Sequence, residues 1–128
     1  MATIVPAGGS PFSIPTYISA GSMTGTATVT GPWVDVTNFD MVSFQAVWTG
    51  TPTGTFAINV SDDAFPDSAP VLGGTPLTIP SSPSPNPAGS ASSWVFYLSG
   101  LSTRWVQLTY TNVSSTGTLN VGVSGKKT

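Results

Sequence analysis

Residues 42–61 limit the possible folds more than any other stretch. Val42, Phe44, Ala46 and Trp48 occupy every second position, with Ser43, Gln45 and Thr49 on the other side of the pattern. After Gly50-Thr51-Pro52-Thr53-Gly54 the alternation resumes, with Phe56, Ile58 and Val60 against Asn59 and Ser61. Successive side chains of a strand point to opposite faces, so each run has one apolar face and one polar face. The Gly/Pro/Thr connection predicts an antiparallel hairpin between them, at the centre of an all-β domain.

The rest of the chain repeats this pattern. Short strands are expected at 13–19, 25–30 and Trp33–Val36, separated by Gly21, Gly25 and Gly31-Pro32. Trp94, Phe96 and Leu98 alternate with Val95 and Tyr97. Val106, Leu108 and Tyr110 oppose Gln107 and Thr109, and Leu119, Val121 and Val123 share one face after a tight turn at Ser114–Gly117. No run has sustained helical spacing. The prediction is an antiparallel two-sheet β-sandwich, jelly-roll-like, with about eight strands and little or no helix. Residues 13–124 form one domain, preceded by an arm at 1–12 and followed by a tail at 125–128. A Pro/Ser-rich excursion spans 62–92, with Leu77-Thr78-Ile79 as a short edge strand inside it.

Composition narrows the function. Charged residues make up 6% of the 128, against about 25% in an ordinary soluble domain. Their place is taken by 19 Thr and 18 Ser. Four Trp, six Phe and three Tyr argue for a folded core over disorder. Two of the three cations are Lys126 and Lys127, so no basic patch exists for nucleic acid. No segment has the apolar length of a membrane-spanning helix. No basic segment followed by an apolar core opens the chain, so folding in a cytoplasm is expected. Without Cys, burial and hydrogen bonding must hold the fold. A surface this neutral suits a subunit that keeps much of it in lasting contacts.

His, Cys and Glu are absent, which excludes Ser–His–Asp and Cys–His catalysis. Paired carboxylates would have to come from Asp alone, so no enzyme activity and no cofactor are expected. Asp62, Asp63 and Asp67 are the one candidate metal set. Their loop lacks the Asp-x-Asp-x-Asp-Gly register and contains Pro66, which favours a solvated acidic turn. Trp33, Trp48, Trp94 and Trp105, with Tyr17, Tyr97 and Tyr110, would make a sugar-stacking platform if exposed. Strand aromatics more commonly fill a core or an interface. Asn59-Val60-Ser61 and Asn112-Val113-Ser114 match the glycosylation triplet by chance on this reading. The interface candidates are Ile4, Val5 and Phe12 in the arm, Phe65, Leu77 and Ile79 in the excursion, and Arg104 at a strand start.

Phe44-Gln45-Ala46-Val47-Trp48-Thr49-Gly50-Thr51-Pro52-Thr53-Gly54-Thr55-Phe56 with Val60-Ser61, then Ala88-Gly89-Ser90, Arg104–Thr111 and Gly117-Thr118-Leu119-Asn120-Val121 through Ser124-Gly125-Lys126 together resemble a class of small tailed-bacteriophage and prophage proteins. This resemblance implies a virion-associated β-sandwich, a capsid decoration or cement protein on the head surface, made in the host cytoplasm. The implied partners are the major capsid protein and copies of itself, a trimer suiting the capsid lattice. A tail or fibre component and a carbohydrate-binding adhesin module are the rival roles. The resemblance transfers no catalytic position.

Overall fold

A computed structural model describes residues 12–62, 75–77, 86–99 and 104–126. The strands are β1 (Phe12–Thr24), β2 (Thr28–Thr30), β3 (Val34–Asp35), β4 (Met41–Gly50), β5 (Thr53–Ser61), β6 (Thr75–Leu77), β7 (Ser92–Ser99), β8 (Trp105–Ser114) and β9 (Thr116–Lys126). No helix occurs among the described residues. One sheet has the order β1-β9-β4-β7. The other has the order β2-β8-β5-β6, with β3 also paired to β8. All pairings are antiparallel. With β2 and β3 counted as one interrupted strand, this order is that of a jelly roll: the chain passes from sheet to sheet, and each early strand lies beside a late one.

The hairpin expected at 42–61 does not form. β4 belongs to the first sheet and β5 to the second, and each pairs with strands distant in sequence. The apolar faces of the two runs meet across the core instead of lying side by side. The rings of Trp48 on β4 and Phe56 on β5 stand 5.7 Å apart, and Phe56 continues to Tyr110 on β8 at 4.9 Å. An arch of this kind has the same sequence period as a hairpin and buries both runs. The expected turn at Ser114–Gly117 is likewise a passage between sheets, with Ser115 at a φ of 67°.

Two further expectations change. The strands read as 13–19 and 25–30 are one long β1 through Gly21 and a short β2. The ladder between β1 and β9 shifts register between Ile14 and Ile18 and again before Gly21. Pro15 lacks an N–H for that ladder, and an edge strand tolerates the resulting bulge. The strand read at Trp33–Val36 shrinks to β3. The ends of the domain are tied together by the pairing of Phe12 with Gly125 and by the Asp40 N–H donating to the Lys126 carbonyl at 3.0 Å.

The core lies between the sheets. Val42, Phe44 and Ala46 from β4, Leu119, Val121 and Val123 from β9, and Ile58, Val106 and Leu108 from the facing sheet are buried in it. Each large aliphatic or aromatic side chain removed from water there contributes about 1.5–3 kcal/mol. Tyr17 joins the layers. Its hydroxyl donates to the Pro32 carbonyl and accepts the Leu108 N–H at 3.2 Å. Burial pushes its phenol well above the ordinary value of about 10, and the Leu108 hydrogen bond only partly opposes this. A raised folded-state value means that folding favours the protonated phenol. This contribution is complete below about pH 10 and is lost as the pH climbs beyond it. Tyr17→Phe is therefore expected to lower stability by about 1–3 kcal/mol at neutral pH. The variant should also lose less on going to strongly alkaline pH. Urea unfolding at the two pH values measures both effects, and an unchanged midpoint would contradict them.

Candidate docking face

The same alternation that fills the core sends the other half of each strand outward. On the outer side of the β1-β9-β4-β7 sheet, the β-ladders place Val47 between Asn120 and Ser93, Gln45 between Gly122 and Val95, and Ser43 between Ser124 and Tyr97. The Ser43 and Ser124 hydroxyls are bonded at 2.9 Å. A shallow cleft of about 410 Å³ runs over this surface, bordered by Ser13 and Pro15 on one side and Val95 on the other. Its floor is low because Gly122 has no side chain. A Cβ there would press on the Pro15 carbonyl oxygen at 3.2 Å.

This face is uncharged along the cleft and unusually apolar. Val47, Val95 and Tyr97 are 42%, 56% and 62% exposed. They stand where the strand pattern calls for polar residues, so water meets apolar surface beside the amides of Gln45 and Asn120. Among the described residues, the charge carried on this face is Lys126, at the end of β9. Such a surface suits a protein partner reached through shape, dispersion and neutral hydrogen bonds, without ion pairing.

The sequence-based candidates fall elsewhere. Phe12 is partly buried against the domain's own core, its ring 4.7 Å from that of Phe39. Leu77 lies on β6 opposite Ile58. Arg104 pairs with Asp35 at 3.4 Å within the same chain and lies over the Trp105 ring at 5.4 Å. Asp35 also accepts from the Thr37 N–H at 3.0 Å and from its hydroxyl at 2.5 Å. With the Arg104 side chain 37% exposed to water, the ion pair contributes about 0–1 kcal/mol. Ile4, Val5, Phe65 and Ile79 lie outside the described residues, as do Asp63 and Asp67 of the candidate metal set; Asp62 is exposed at the end of a described segment.

The aromatic platform does not form on the surface. Trp33, Trp48, Trp105, Tyr17 and Tyr110 are buried, and Trp94 is partly buried. Its indole N–H is enclosed with no acceptor among the described residues. Tyr97 alone of the seven is exposed. Of the glycosylation triplets, Asn112 is buried and fully engaged in hydrogen bonds, so it is closed to modification as folded. Sequence reasoning missed Val47, Val95 and Tyr97 as a surface. The signal was present: β7 is apolar on both sides of its alternation, and Val47 interrupts the polar side of β4.

The sequence matches no protein-family model and no curated protein. Solved structures align with the chain over most of its length. A chain in the structure of infectious bursal disease virus, Gt strain, aligns with a TM-score of 0.50 at 11% identity, over 89% of this chain and 30% of that one. The C-terminal CBM6 of LamC, a laminarinase of Zobellia galactanivorans, aligns at 0.41 and 11% identity over 91% of this chain and all of that one. The K1 cleaved adhesin domain of Lys-gingipain from Porphyromonas gingivalis W83 aligns at 0.40 and 13% identity, over 79% and 63%. This chain thus spans about a third of the viral chain's length. At 11% identity the likeness to the viral chain is one of fold.

Proposed function

We propose that this protein is a structural component of a bacteriophage particle, a capsid decoration protein that docks on the head lattice and holds neighbouring capsid subunits together. The observation that carries this reading is the outer face of the β1-β9-β4-β7 sheet, uncharged along its cleft, with Val47, Val95 and Tyr97 exposed on it. A rigid two-layer frame behind that face keeps it flat and preformed, so docking costs little ordering entropy. The resemblance of residues 44–126 to tailed-phage virion proteins supplies the setting, and the fold shared with a virus chain is compatible with it. Reaction chemistry has no part in this role, and the partners are the major capsid protein and further copies of the chain.

The test is occupancy on the particle. Val47→Asp with Tyr97→Asp should reduce the amount of protein bound to purified phage heads by at least about tenfold, since two charges would be desolvated without partners. Both positions are exposed, so the thermal midpoint should stay within a few degrees of wild type. Undiminished occupancy would remove this face from the account.

Tyr97 supports a second reading. It is an exposed aromatic opposite Ser43, on the same sheet face as the shallow cleft that Ser43, Gln45 and Ser124 line, a combination of stacking surface and neutral hydrogen-bonding groups that a sugar ring uses. A glycan-array signal abolished by Tyr97→Ala would favour this adhesin role over decoration.

A further inference from the structure

A sheet edge is a row of unpaired N–H and C=O groups, and proteins protect such edges with shortness, proline, charge or bulges. Three of the edges here are protected in that way. β1 contains Pro15 and two register shifts. β2 and β3 are three and two residues long. β6 has three residues, one of them Pro76. β7 has none of these devices. It is an eight-residue run, Ser-Ser-Trp-Val-Phe-Tyr-Leu-Ser, with no charge, proline or glycine. Its register with β4 is unbroken from Ser92 opposite Trp48 to Ser99 opposite Met41. Among the described residues no strand pairs with its far side.

We propose that the far edge of β7 is a self-association site, where β7 of a second copy adds antiparallel and extends the sheet through both molecules. The strand is suited to itself. A two-fold axis normal to the sheet sets β7 against β7 and keeps the two outer faces on the same side. It can place Val95 opposite the second copy's Tyr97, and Tyr97 opposite the second copy's Val95, as cross-strand aromatic and β-branched pairs. These are two of the most exposed apolar side chains described. With no charge on the strand, two identical edges meet without repulsion. The two-fold closes at a dimer, so a trimer on a capsid lattice would need a different surface. One ladder with its flanking side chains is smaller than a standard interface, so the dimer should be concentration-dependent. The edge argument is independent of the capsid reading, although the pairing would set two docking faces side by side.

Sedimentation equilibrium of the purified full chain over a concentration series tests this directly. A monomer–dimer equilibrium is expected. Val95→Lys should raise its dissociation constant at least about tenfold, because charge on an edge opposes pairing. Val47→Lys, one strand in from the edge on the same face, should leave the constant unchanged. Both positions are solvent-exposed, and circular dichroism confirms that each variant is folded. A wild type that stays monomeric throughout overturns the proposal, as does a dimer indifferent to Val95→Lys. Equal weakening by Val47→Lys also overturns it, because that is the mark of face-to-face stacking. Particle occupancy is read separately, so failure of the dimer leaves the capsid reading to its own test.

Discussion

Asn112→Ala is expected to lower the unfolding free energy by about 3–4 kcal/mol, far more than loss of an ordinary polar side chain. Asn112 is 1% exposed on β8 and joins three parts of the chain. Its Oδ1 accepts the Tyr110 hydroxyl at 2.8 Å. Its Nδ2 donates to the Gly25 carbonyl at 2.9 Å and to the Ser115 carbonyl at 3.0 Å, while its backbone N–H donates to Ala27 at 2.9 Å. The side chain thus ties the β1–β2 connection to the passage between β8 and β9. Removing it strands the buried Tyr110 phenol and gives up the bonds to the carbonyls of Gly25 and Ser115, two exposed residues. A second substitution checks the cause: in the Asn112→Ala background, Tyr110→Phe should cost almost nothing or restore stability, because it deletes the stranded hydroxyl. Additive losses in the double variant, measured by urea unfolding, would contradict the network.

Gly50→Val should be comparably damaging, about 3–5 kcal/mol, through backbone strain followed by collision. Gly50 closes β4 at a φ of 81°, the left-handed region that a β-branched residue avoids. An added Cβ would stand 2.4 Å from the Thr116 carbonyl oxygen and 2.8 Å from the Gly117 Cα, both main-chain atoms. That carbonyl also accepts the Thr51 N–H at 2.9 Å, so displacing it loosens the arch from the β8–β9 passage. The urea midpoint should fall with little change in slope. A loss below about 1 kcal/mol would mean that the connection can rearrange around a side chain.

These two sites show where sequence reading succeeds and where it stops. The inward positions of β4 and β9 were legible because Val42, Phe44, Ala46 and Leu119, Val121, Val123 keep a strict period of two. That period says which side of a strand is buried and nothing about which strand lies next to it. Residues 42–61 therefore fit a hairpin and an arch equally well, and only the facing sheet, with Phe56, Ile58 and Tyr110, decides between them. Asn112 looked like part of a chance surface triplet, since its role depends on Gly25 and Ser115 arriving from elsewhere in the chain. The outer face was half legible. Tyr97 was visible as one of seven aromatics, but burial of most of the others is a property of the closed sandwich. Gly21 and Gly25 suggested a strand break, yet β1 runs on through Gly21 to Thr24, and its edge position lets it absorb two register shifts.

The central claim is that a neutral, preformed sheet face attaches this protein to a capsid lattice. Cryo-electron microscopy of the proposed phage heads, prepared with the protein bound, tests it most directly. The account predicts jelly-roll density at regular lattice positions, with Val47 and Tyr97 turned toward the shell. Heads bearing no such density, or density with that face toward solvent, would contradict it.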